Sequence, residues 1–166
     1  MKRSEINKII EEAAEFLGEH KFLLPPFAYF TADEWKEKNH EYDEIRRNCL
    51  GWDITDFGSG DYKKCGLFLF TLRNGNAHNP DDHKVYAEKI MIVDENQTTP
   101  YHYHWYKQED IINRGGGNLM IKVYAADEND EFSADDVEIQ VDGRHYKVPA
   151  GSVIRLTPGM SMTNTK

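Results

Sequence analysis

The sequence predicts a mainly β fold, a sandwich or barrel of short strands preceded by N-terminal helices, and three observations carry that expectation. Apolar residues recur at helical spacing only near the start of the chain, at Ile6, Ile9, Ile10, Ala13, Phe16 and Leu17. From Lys64 onward they come instead in short runs separated by turn residues, the grammar of a sandwich or barrel. Asp142-Gly143 is a two-residue hairpin signal, and Val137, Ile139 and Val141 alternate ahead of it as one face of a strand does. The expected organisation is a helical segment over 1–63 packing on a barrel formed by 64–166.

Taken in order, Ser4 is the expected cap of the first, amphipathic helix and Gly18 its stop. Pro25 and Pro26 break the pattern, since proline has no N–H for a helix interior. Thr31 and Glu34 stand at capping-box spacing and open a shorter helix around Trp35. A third helical stretch is expected over 42–49. Strands follow at 65–73, 84–93, 99–105, 118–125, 137–141, 144–148 and 152–156, with Asn74-Gly75 as a second hairpin signal. No internal repeat or low-complexity tract is visible.

At 166 residues the chain has the length of one domain and can bury a real core. A net charge of −9, with no basic patch, argues against a nucleic-acid partner. The opening Met-Lys-Arg resembles the charged start of a signal peptide, but Glu11, Glu12 and Glu15 interrupt any apolar run, and no stretch reads as a membrane span. A cytoplasmic location is expected, and Cys49 and Cys65 are expected as free thiols.

The chemistry concentrates in His102, Tyr103, His104, Trp105, Tyr106, Lys107, Gln108 and Glu109. Two histidines two apart on a strand project from one face, where both imidazoles reach one ion. Four residues separate His104 from Glu109, enough for a strand to end, turn and return with a carboxylate on the next strand. Two neutral imidazoles and a carboxylate suit manganese, iron or zinc, and leave coordination positions open for a substrate. Thr99 and Pro100 precede the histidines, and Gly116 follows Glu109 after six residues. This is similar to the first motif of the cupin superfamily, whose leading glycine is absent here.

A closer resemblance runs over nearly the whole chain. Leu-Pro-Pro-Phe-Ala (24–28), Leu-Gly-Trp-Asp-Ile-Thr (50–55), Leu-Phe-Thr-Leu-Arg-Asn-Gly (69–75), Tyr-Ala-Glu-Lys-Ile-Met (86–91) and Glu-Asp-Ile-Ile-Asn-Arg-Gly-Gly-Gly-Asn-Leu (109–119) resemble the bacterial D-lyxose ketol-isomerases. Those are metal-dependent cupins that interconvert D-lyxose and D-xylulose and often accept D-mannose, giving D-fructose. The resemblance implies a cupin jelly-roll barrel and a homodimer. It implies that His102, His104 and Glu109 hold a divalent metal, Mn2+ foremost and Zn2+ or another as alternatives, and that Lys89 and Lys107 face the sugar.

The residues can be weighed against that chemistry. Moving a carbonyl from C1 to C2 takes a proton from C2 and returns it to C1, through an enediolate whose charge a divalent cation stabilises. Lys107 is within reach of that charge, or is a solvated turn lysine. Glu88 is the candidate base, or else a salt-bridge partner of its neighbour Lys89. Trp52 and Trp105 offer aromatic faces to a sugar ring, or fill the core. Asn113 and Arg114 bind a hydroxyl or cap a turn, and Gly115 to Gly117 permit positive φ. His20, His40, His78, His83 and His145 have no partner at ligand spacing.

The cupin pattern has a second motif whose histidine supplies a fourth ligand. Gly159 fits its beginning, but residues 160–166 run out where its proline, glycine and histidine are due. The shortened chain is therefore expected to bind metal more weakly and to turn sugar over poorly or not at all. Two other classes share the same residues: a sugar-binding cupin without catalysis, and a two-histidine one-carboxylate non-haem iron oxygenase.

Overall fold

The computed structural model describes residues 1–76, 79, 80, 82–104 and 107–164, the last of these in its backbone alone. It is mainly β with helices at the N-terminal end, as expected, and consistent with a cupin-like fold. The chain forms two compact units, Met1–Tyr101 and His102–Lys166.

In the first unit, α1 (Arg3–Glu19) buries Ala13 and Leu17. Its cap is Lys2 and not Ser4, which falls inside the first turn, and the Lys2 backbone N–H donates to the Glu5 carboxylate at 2.6 Å. Nor does Gly18 stop it. The chain leaves the helix at Lys21, in the left-handed region at φ 58°, with Phe22 N–H bonded to Leu17 O at 2.8 Å and Lys21 N–H to Gly18 O at 2.9 Å. That is a Schellman ending with a lysine where glycine usually stands.

After a 3-10 turn at Pro26–Tyr29, α2 (Ala32–Glu37) opens on the expected capping box: Thr31 Oγ1 accepts from Glu34 N–H at 3.2 Å, and Glu34 accepts from Thr31 N–H at 2.7 Å. The third helical stretch divides into a 3-10 turn, His40–Tyr42, and α3 (Asp43–Arg47).

Strands β1 (Gly51–Thr55), β2 (Leu67–Arg73) and β3 (Glu88–Ile92) form an antiparallel sheet in the order β1-β2-β3. Its centre is β2, whose Phe68, Leu69, Phe70 and Thr71 are buried in succession. Leu17, Leu24, Ala28 and Phe70 make the core here. Asn74-Gly75 does not turn a tight hairpin, because β3 begins only at Glu88. Gly75 serves close packing: a Cβ on it would lie 1.8 Å from Lys84 O. Buried Asn48 fastens this long connection, donating to Asn74 O at 3.0 Å and to the Asp82 carboxylate at 2.6 Å, while Asn74 donates back to Asn48 O at 2.9 Å.

The second unit holds β4 (Asp110–Ile112), β5 (Leu119–Lys122), β6 (Val137–Val141), β7 (Arg144–Val148), β8 (Val153–Leu156) and β9 (Ser161–Asn164). They pair antiparallel as β4-β9-β6-β7 and β5-β8. Asp142 and Gly143 turn β6 into β7 as predicted, both at positive φ (48° and 80°), which is the signature of a type I′ turn. Val123, Val137, Ile139, Val141, Leu156 and Met162 form the core. Both cysteines are free thiols, and no described helix is long and apolar enough to cross a membrane.

Candidate metal centre

The expected strand over 99–105 is not assigned in its described part, 99–104. Pro100 contributes a reason, since it has no N–H to give to a ladder. The two histidines nevertheless converge. Their ring centroids are 5.2 Å apart at 69°, and the ligand atoms of His102, His104 and Glu109 lie within 4.8 Å of one another. Donor atoms around one divalent ion stand roughly 3–4 Å apart, given metal–ligand distances near 2.1 Å. The three side chains thus need only small movements to close on one ion, and their nitrogen and oxygen donors fit manganese or zinc.

Glu109 is the hinge of this arrangement. Its Oε1 accepts from Lys107 Nζ at 2.6 Å and lies 3.1 Å from His104 Nε2. Half-burial works to raise its carboxyl, but the hydrogen bond and charge of Lys107, followed by the charges of His104 and His102, win and hold it below the ordinary range. The group therefore stands ready as an anion. Both histidines are exposed, so the cluster is open to a ligand.

What places Glu109 is the strand that follows it. β4 pairs with β9, and Thr163 Oγ1 donates to the Asp110 carboxylate. Buried Asn113 then closes the glycine loop: its Nδ2 donates to Gly117 O and Leu156 O, each at 2.8 Å, and its Oδ1 accepts from Gly115 N–H at 3.1 Å. Asn113 is therefore the cap of this turn and has no donor left for a sugar hydroxyl, while Gly116 takes the positive φ (89°) that the turn requires.

The other candidates divide between the units. Lys107 sits in the second, beside Glu109. Glu88 and Lys89 lie exposed at the start of β3 in the first, opposite Arg73 and Thr71. Neighbours on a strand face opposite sides, and the two are not ion-paired with each other. Trp52, also in the first unit, donates its indole N–H to Ala28 O at 2.8 Å and packs on Phe68 and Phe70, while lining a cleft of about 360 Å³ with Phe27, Trp35 and Arg46. Trp105 and His78 lie outside the described residues.

One residue escaped the sequence reading. Tyr103 lies between the two histidines. Partial desolvation first, then the carboxylate of Asp130, push its phenol above the ordinary range. The only sequence signal was a hydrogen-bonding ring at the middle position of His-x-His.

The chain matches, over residues 1–166, the family model described as D-lyxose isomerase. It is 46% identical over 163 residues to the D-lyxose/D-mannose isomerase of Escherichia coli O157:H7, which covers 98% of this chain and 72% of that protein. It is 43% identical over 166 residues to the D-lyxose/D-mannose isomerase of Serratia proteamaculans, with 99% of this chain and 73% of the relative covered.

Proposed function

Because the chain belongs to the D-lyxose isomerase family and is a sugar isomerase, we propose that it interconverts D-lyxose and D-xylulose, and D-mannose and D-fructose, with a divalent metal held by His102, His104 and Glu109. The observation that carries the proposal is the gathering of those three ligand atoms within 4.8 Å, around a carboxylate kept anionic. Manganese bound there would supply Lewis acidity to the substrate's carbonyl and neighbouring oxygen, worth several kcal/mol on the general scale of metal catalysis.

The chain's own groups do the rest. Lys107, fixed at Glu109, is placed to donate to a sugar oxygen as negative charge develops in the enediolate. Glu88, exposed at the start of β3, is the proposed base that takes the proton from C2 and returns it to C1. Trp52, on the face of the sheet that Ile90 and Glu88 share, is the proposed sugar contact, an indole for a ring face; Lys89, on the opposite face of β3, is the alternative contact, an ammonium for hydroxyls. The enzyme is further read as cytoplasmic and homodimeric, with a small sugar as its partner; the charge of −9 supports the absence of nucleic acid.

Ketose formation from D-lyxose and D-mannose, with manganese titrated into metal-stripped protein, tests this reading. Ketose formation that depends on added metal, even at a low rate, is the expected result. Sugar binding without turnover would instead make the chain a binding protein, and oxygen consumption with iron would make it an oxygenase.

A further inference from the structure

β4 is a short strand for the carboxylate that stands at its start. It pairs with β9 at three positions, Asp110 with Thr163, Ile111 with Met162 and Ile112 with Ser161. A slip of one residue in so short a ladder would turn Glu109 to the opposite face of the strand. We propose that Asn113 is the positioning residue that prevents this: its buried side-chain amide, four residues beyond Glu109, pins the register and roll of β4 and so aims the Glu109 carboxylate at the histidines. The proposal rests on the metal reading above and adds to it a residue about 13 Å along the extended chain from the carboxylate it serves.

Positions i, i+2 and i+4 of a strand share one face, and burial alternates accordingly: Glu109 and Ile111 are half-buried, Asp110 and Ile112 exposed, Asn113 buried. The backbone of Asn113 carries the pairing one step past β4. Its N–H donates to Met160 O at 2.9 Å and its O accepts from Gly159 N–H at 2.8 Å. The side chain then leaves that sheet: Nδ2 donates at 2.8 Å both to Leu156 O, at the end of β8, and to Gly117 O, just ahead of β5. Leu119 and Leu156 are the pair that closes the β5-β8 ladder, so one amide joins the strand beside Glu109 to the second sheet of its unit. Oδ1 accepts from Gly115 N–H at 3.1 Å, and with that both donors and the acceptor of the amide are engaged. Leu156 is fully buried. Moved one residue along, β4 would take these donors away from Leu156 O and Gly117 O, and a buried acceptor without its partner is penalised. The register that satisfies Asn113 is thus the register that turns Glu109 toward the histidines.

Outer groups that bond a metal ligand directly change affinity by about 10–100-fold. Asn113 acts through the strand instead, so Asn113→Ala should weaken manganese binding roughly 3–10-fold. Asn113→Asp, which has the same shape and keeps the acceptor but lacks both donors, should do the same. Affinity is read by calorimetry on the metal-stripped full chain, well below the lowest metal-free thermal midpoint of the set, so that every protein measured is folded. Both variants should also lower that midpoint, as any loss of buried hydrogen bonds does. Ile139→Val supplies the comparison, since it thins the same core from β6 and should lower the midpoint while binding manganese as the parent does. If it weakens binding as much as Asn113→Ala, affinity merely follows stability and the inference is overturned. Parental affinity in either Asn113 variant overturns it as well, and should one of them fail to fold, the other decides. The path through Glu109 is tested by the double variant: in the Glu109→Gln background, Asn113→Ala should cost little further affinity, and a full additive loss counts against the inference. Parental binding in His104→Ala and Glu109→Gln would sink the metal reading and this inference with it. Lost binding in those two with parental binding in the Asn113 variants sinks this inference alone.

Discussion

A single oxygen, Glu109 Oε1, accepts from Lys107 and faces His104, so removing its charge affects two neighbours at once. Glu109→Gln leaves the ammonium without its counter-charge and offers a metal a poorer donor. It should lower manganese affinity by more than about tenfold, or ~1.4 kcal/mol, in a calorimetric titration. His102→Ala and His104→Ala should do the same, and full metal content in all three variants by elemental analysis would refute the site. Lys107→Met has the opposite profile: metal retained, and a raised KM for D-lyxose. The convergence of these three side chains was legible in the sequence because they fall within eight consecutive residues, where spacing alone brings them together. Asn113 was not legible as a cap, since its partners Gly117 and Leu156 include one 43 residues away.

Among the elements, the ends and connections carry the testable content. Lys21 closes α1 at φ 58°, a conformation that costs an L-residue roughly 1–2 kcal/mol and glycine much less. Glycine gives back about 0.5–1 kcal/mol in unfolded-chain entropy. Lys21→Gly should therefore stabilise by up to about 1 kcal/mol, a rise in thermal midpoint of roughly 2–4 °C; an unchanged or lower midpoint would remove the strain argument. The β2–β3 connection gives a pH dependence. Asp82 is held below the ordinary carboxylate range first by the Lys84 backbone N–H and then by the Asn48 side chain. A depressed folded-state pKa means stability that is present above the unfolded value near 3.9 and is lost as pH falls through the lowered one. The midpoint of Asp82→Asn should accordingly lie below the parent's at neutral pH, with the gap closing under acid. Sequence patterning found the long strands and the Asp142-Gly143 hairpin but passed over β1, β4 and β9. The last two have only three and four residues, too few for a period to show, so their pairing comes from partners elsewhere in the chain. The strand expected through the histidines failed in the opposite way, because alternation and β-branched or aromatic content do not supply a partner for a ladder.

For the whole molecule, all three proposed metal ligands belong to the unit His102–Lys166. A ligand that binds only the folded state stabilises by about 2.7 kcal/mol at one hundred times its dissociation constant. Added manganese should therefore slow hydrogen exchange chiefly across 102–164 and leave much of 1–101 unchanged; uniform protection over both would show that the units open together. The fold class was readable at this scale because the change from helical to strand periodicity is a property of long stretches, which single contacts do not override. One feature of the sheet also governs how the molecule is made. β9 lies between β4 and β6, so the strand next to Glu109 gains its neighbour only when residues 161–164 have been synthesised. At ordinary translation rates of about 5–20 residues per second, the stretch from Ile112 to Thr163 takes roughly 2–10 s to appear. Throughout that interval the ribosome-bound chain carries its histidines and carboxylate beside a strand whose sheet neighbour has not yet been made.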